Sequence, residues 1–169
     1  MKKSAKGFTL VELIVVIAII GILAAILVPA LLGYIQDSKL TSANASAKTV
    51  YTAVNNYSQK CLTAGYPIAI SSMSGTVVDV DGDVDAAPVP SSASDLELAT
   101  ISGYVTTAIS CSLGEDAIGS VYAISFNDLG FPKATTWAKS SDDPYVGGYP
   151  NEATDTDWSI SDAEISSAS

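Results

Sequence analysis

The sequence contains no histidine and no arginine, and only two of its 169 residues are cysteine. Each absence excludes chemistry. Without imidazole there is no His general base, no triad of the usual kind and no His metal ligand. Without guanidinium there is no bidentate clamp for a phosphate. Positive charge is scarce as well: eight lysines stand against eighteen acids, a formal net charge of −10. Such a surface repels nucleic acid and anionic membranes, since phosphate binding runs on Lys and Arg. Carboxylate pairs remain, but no pair is singled out by spacing. Together these absences argue against an enzyme.

What the chain has is one long apolar run. From Phe8 to Leu32 the only polar side chains are Thr9 and Glu12. A bilayer-spanning helix needs roughly 20 apolar residues at about 1.5 Å each, so the run is long enough. An ordinary signal anchor explains its length, with Lys2, Lys3 and Lys6 holding the N-terminus in the cytoplasm. It exceeds the roughly 7–15 apolar residues of a cleaved signal peptide. Neither reading gives a reason for Glu12. A carboxylate in hydrocarbon costs roughly 2.5–3.5 kcal/mol at the centre of a helix and less near an end, so it is seldom there without a partner.

The segment Lys6-Gly7-Phe8-Thr9-Leu10-Val11-Glu12-Leu13, followed by an Ile/Val/Leu/Ala run with Gly21 and Pro29 inside it, resembles the N-terminus of type IV pilins and pseudopilins. The resemblance covers about the first 60 residues. It implies cleavage by a prepilin peptidase between Gly7 and Phe8, N-methylation of Phe8, and assembly through Glu12. In that family Glu12 would pair with the terminal amine of a neighbouring subunit, and an unpaired buried charge is far costlier than a paired one. The competing reading leaves Glu12 at the headgroups without a partner. Gly21 and Pro29 are the expected helix-kink positions, because Gly is a weak helix former and Pro removes a backbone bond; both are also simply common in membrane helices. Tyr34 falls where the family often carries a tyrosine. Removal of residues 1–7 leaves five lysines against eighteen acids, a side-chain balance of −13.

Beyond Pro29 the pattern turns amphipathic. Leu40, Ala43, Ala47, Val50, Val54, Tyr57 and Cys61 recur at spacings of three and four, with Asn44, Ser46, Lys48, Asn55 and Gln59 read onto the other faces. The expected element is one helix from about Phe8 to Lys60, on the order of 80 Å long. The domains expected are a leader (1–7), a transmembrane or assembly half (8–32), an amphipathic half (33–61) and a β-rich globular part with an acidic C-terminal loop (62–169). Cys61 and Cys111, in an exported domain, read as one disulfide, with two buried free thiols as the alternative. No cysteine follows Cys111, whereas the family commonly closes a C-terminal loop with a disulfide; here that loop must be held in another way.

From Gly65 onward Gly, Pro and Ser break the chain into short segments. Thr76 to Val84 reads as a hairpin around Asp81-Gly82. Its Asp79, Asp81, Asp83 and Asp85 read as one solvated strand face, with a calcium loop as the functional alternative. Residues 86–94 read as a linker. Ser94-Asp95 would cap a short helix ending near Gly103. Tyr104 to Cys111, Val121 to Phe126 and Ala134 to Ala138 read as strands, with a turn at Asn127 to Gly130. The tail beyond Ser140 carries seven acids and no base, and Gly147-Gly148 with two prolines argues against regular structure up to Asn151. Asp142, Asp143, Asp155 and Asp157 are a second weak calcium set, and no other cofactor is implied.

The expected fold class is α+β: a long N-terminal helix packed on a small antiparallel sheet, pilin-like. The function implied is a type IV pilus subunit, made as a single-pass membrane precursor with its C-terminal domain outside and then carried in an extracellular filament. Its partners would be other pilin subunits, the prepilin peptidase and an assembly platform in the membrane, and no nucleic acid. Adhesion, motility or DNA uptake would belong to the filament. A pseudopilin of a secretion or competence machine shares every N-terminal residue. From another class, a monomeric membrane-anchored binding module predicts no cleavage at Gly7 and no role for Glu12. An electron-conducting filament through Phe8, Tyr34, Tyr51 and Tyr57 has little support, since aromatics at helical spacing are far more often packing residues.

Overall fold

A computed structural model describes residues 8–77 and 98–160. The first helix, α1, runs from Leu10 to Thr63, uninterrupted through Gly21 and Pro29. Its apolar half is rich in β-branched Val and Ile, which are only moderate helix formers in water. In lipid the choice narrows, because a helix alone satisfies every backbone group within one segment. The other end closes on Gly65, whose φ of 86° a side chain would resist. Tyr66 N–H donates to Cys61 C=O at 2.9 Å and Gly65 N–H to Leu62 C=O at 3.1 Å, the paired bonds of a Schellman cap.

The chain divides between Ser38 and Lys39 into two compact units. Within the second unit, α1 buries Leu40, Ala43, Asn44, Ala47, Val50, Ala53, Val54, Tyr57, Ser58 and Cys61. Every residue of the expected stripe is among them. Asn44, read from sequence onto a solvated face, is instead buried.

Four antiparallel strands pair in the order β1 (Ser72–Thr76), β2 (Val121–Phe126), β3 (Pro132–Ala138) and β4 (Gly147–Tyr149). The β2–β3 connection is the expected turn. Asn127 Oδ1 accepts from the N–H of Leu129 and of Phe131, and Gly130 sits at φ 79° against the backbone of Ile68. One face of β2 sends Tyr122, Ile124 and Phe126 into a core with Val50, Val54, Tyr57 and Cys61 of α1. Burying each such aliphatic side chain stabilises the fold by about 1.5–3 kcal/mol.

Three readings of the sequence are corrected here. Tyr104 to Cys111 is not a strand but part of a second helix, α2 (Leu98–Leu113), which continues through Gly103 and stops where Gly114 takes φ 80°. Its Ile101, Val105 and Ile109 are buried at a spacing of four, the helical period, and join the core. The alternation that suggested a strand gives way to the helical period, and Thr107 Oγ1 and Ser112 Oγ donate to the carbonyls four residues earlier. Second, Gly147-Gly148 does not break regular structure; it forms β4, at a position where no side chain fits. Third, Ser72–Thr76 forms a strand, β1, where none was expected. The proposed hairpin from Thr76 to Val84, the linker at 86–94 and the Ser94-Asp95 cap lie almost wholly outside the described residues.

Candidate functional site: the N-terminal helix

Thr9 and Glu12 build the start of α1. Thr9 accepts the first helical bond from Leu13 N–H at 3.3 Å, which makes it the N-cap. Its N–H and hydroxyl donate to Glu12 Oε2 at 2.9 and 2.7 Å, and its Oγ1 accepts from Glu12 N–H at 3.3 Å. This is a capping box, with each side chain satisfying the other's backbone. It holds the only carboxylate of the apolar run one turn from Phe8, at the positive end of the helix dipole. The mutual cap is the part of this site that the sequence reading missed. The Thr-x-x-Glu spacing was there to find.

From Phe8 to Ser38 every residue of the first unit is exposed, with Phe8 at 86 %, Ile26 at 72 % and Tyr34 at 73 %. The helix contains one window long and apolar enough to cross a membrane, with mean hydropathy 3.2. So large an apolar surface left uncovered marks contact with lipid or with other protein. Gly21 has open space where a Cβ would stand, so its smallness is not used within the subunit. Pro29 leaves the Ala25 carbonyl without its usual N–H donor, as any helical proline must.

The other expected sites fare differently. Gly7 and Asp79, Asp81 and Asp83 lie outside the described residues. Cys61 and Cys111 are not joined: Cys61 is a buried thiol and Cys111 an exposed one. The reason is the helix that replaced the expected strand. Cys111 lies two residues, about 200°, round α2 from the buried Ile109, and so faces away from the core. The tail acids do not converge either. Asp143 Oδ1 accepts from Tyr145 N–H and Asp155 Oδ1 from Asp157 N–H, local turns of the backbone. Among the described residues no group of three or more His, Cys, Asp or Glu side chains could hold a metal ion. Of the four aromatics considered for conduction, Tyr57 is buried in the core and Tyr51 packs edge-on against Tyr149 at 4.9 Å, while Phe8 and Tyr34 are exposed.

The model of the prokaryotic N-terminal methylation motif matches residues 2–28. The type IV major fimbrial protein FimA of Dichelobacter nodosus is 31% identical over 151 residues, covering 84% of this chain and 91% of that protein. The type IV major alpha-pilin of Moraxella bovis is 54% identical over 50 residues (30% of this chain, 31% of that one), and the type IV major pilin PilA of Myxococcus xanthus 46% over 52 (31% and 24%). No solved structure matches. An apolar, self-capped helix on a small α+β domain, with relatives named as type IV fimbrial proteins and pilins, defines a structural subunit rather than an enzyme. The chain belongs to the type IV pilin family and is a structural subunit of the pilus.

Proposed function

We propose that the subunit is made as a membrane-anchored precursor with its C-terminal domain outside, is cut by a prepilin peptidase between Gly7 and Phe8, and is methylated on the new Phe8 amine. An assembly platform in the membrane then moves it into an extracellular filament of identical subunits. One observation carries this: an uncovered apolar helix whose single carboxylate is held by its own N-cap, one turn from the cleavage point.

The physics of assembly follows from that arrangement. Transfer of the helix from lipid into a bundle of like helices keeps its apolar surface out of water, so the transfer is nearly neutral for Leu, Ile and Val. The carboxylate then decides the register. Thr9 occupies Oε2, and an amine of a neighbour reaching Oε1 would complete the carboxylate, whereas a mis-registered neighbour leaves the charge unpaired at a cost of several kcal/mol. The named relatives are major fimbrial subunits, which favours a pilin over a pseudopilin.

The test is the N-terminal mass of the protein recovered from its native host. A chain beginning at methylated Phe8 is expected. A chain beginning at Met1 in a host that has the peptidase overturns the reading and leaves the anchored binding module. With processing established, Glu12→Ala should abolish filaments while leaving the precursor cleaved and in the membrane.

A further inference from the structure

The C-terminal segment is fastened to α1 by a side chain. Asn44, 9 % exposed, uses both ends of its amide: Oδ1 accepts from Gly148 N–H at 2.9 Å and from Ala153 N–H at 3.0 Å, and Nδ2 donates to Ala153 C=O at 3.0 Å. Farther along, Thr136 Oγ1 of β3 donates to Ile160 C=O at 2.5 Å. Gly147 pairs with Trp137 on the face toward α1, where a Cβ would overlap the backbone of Ala43 and Asn44. Gly148 pairs with Thr136 on the opposite face, where a Cβ would meet the Trp158 ring. Residues 147–160 therefore pass round the β4 edge from one face of the sheet to the other.

Two things distinguish this segment from the core beneath it. No covalent bond ties it to the core, since neither cysteine lies within it. Its apolar burial is partial: between Tyr149 and Ile160 only Ala153 is buried, while Tyr149, Trp158 and Ile160 are half-buried. A unit with few apolar contacts and most of its ties polar opens at a lower free energy than the whole fold.

We propose that residues 147–160 are a strap that opens and closes as one unit, with Asn44 as its catch.

The test is amide hydrogen exchange on the full-length protein in detergent micelles. In the parent protein the Gly148 and Ala153 amides should exchange at a common rate, at least roughly 100-fold faster than Ile124 at the sheet centre. Exchange of both at the Ile124 rate overturns the strap, because they would then open only with the whole fold. Asn44→Ala should speed both amides by roughly 10- to 100-fold with Ile124 unchanged. Asn44→Asp, which keeps the acceptor and loses the donor, should fall between the two. Should Asn44→Ala prove unfolded, the parent and Asn44→Asp rates decide the matter by themselves.

Discussion

The two halves of α1 differ in how much apolar surface they carry and in where it goes. From Lys39 on, the helix buries ten side chains beneath its own sheet and second helix. From Phe8 to Ser38 it covers none. The first half is uniformly apolar around the helix, and the second is apolar along one stripe. A stripe can be closed by a single layer of protein, whereas an all-round surface cannot be closed by a domain of this size and is left for lipid or for other subunits. Stability and assembly are thus written into different turns of one helix.

Truncating the two halves should separate those roles. In the core, Ile124→Ala should destabilise the globular unit by about 3–4 kcal/mol, through lost transfer energy and the cavity left behind. Ile17→Ala removes the same atoms from the other half and should change unfolding of the globular unit by less than about 0.5 kcal/mol. Denaturant melts followed by tryptophan fluorescence would measure both, and a comparable loss from Ile17→Ala would break the comparison.

Next in size is Gly147→Ala. The added methyl meets backbone, not a flexible side chain, so β4 must move off α1 at a cost of about 2–3 kcal/mol.

Smaller is the alkaline limit. Tyr122 is fully buried, with its hydroxyl 2.5 Å from Thr106 Oγ1, and burial pushes its pKa above the ordinary 10.0. Burial also raises the Cys61 thiol above 9.0. Both groups are neutral when folded and shifted upward, so their contribution is complete below those ordinary values and is lost as pH rises through the raised ones. Stability should stay level from pH 6 to pH 8 and fall above about pH 9–10. Tyr122→Phe should cost about 1 kcal/mol at pH 7 and flatten the alkaline decline. The least effect is expected from reductant. With no bridge between Cys61 and Cys111, it should leave the melt unchanged, and a maleimide should label Cys111 quickly and Cys61 only on unfolding.

How far the sequence could be read depended on how many residues carried each signal. The α1 stripe was legible because seven residues repeat one period, and the pilin-like N-terminus because few chains combine a long apolar run with one early carboxylate. The second helix was only half read: it was ended near Gly103, and Tyr104 to Cys111 was read as a strand for its alternation, while the spacing of four from Ile101 through Val105 to Ile109 is noticeable only once Gly103 is not taken as a stop. Choosing Gly103 over Gly114 was a choice between two glycines, and only the latter has a positive φ. Asn44 was misplaced for another reason. It sits at the margin of the stripe, four residues from Leu40 and three from Ala47, where hydropathy assigns a polar residue to solvent. Its burial depends on Gly148 and Ala153, more than a hundred residues away, and no local pattern carries that information.

The pinning of Gly147 and Gly148 also bears on how such a surface can change over generations. Both glycines are fixed by what surrounds them, one by the α1 backbone and the other by the Trp158 ring. Between them and Trp158, the exposed Glu152, Thr154, Thr156 and Asp157 should tolerate almost any hydrophilic replacement, while Asp155 holds a local turn. Diversity among related subunits should therefore gather in this short arc while its two anchor points stay constant, which lets the surface drift without disturbing the subunit beneath.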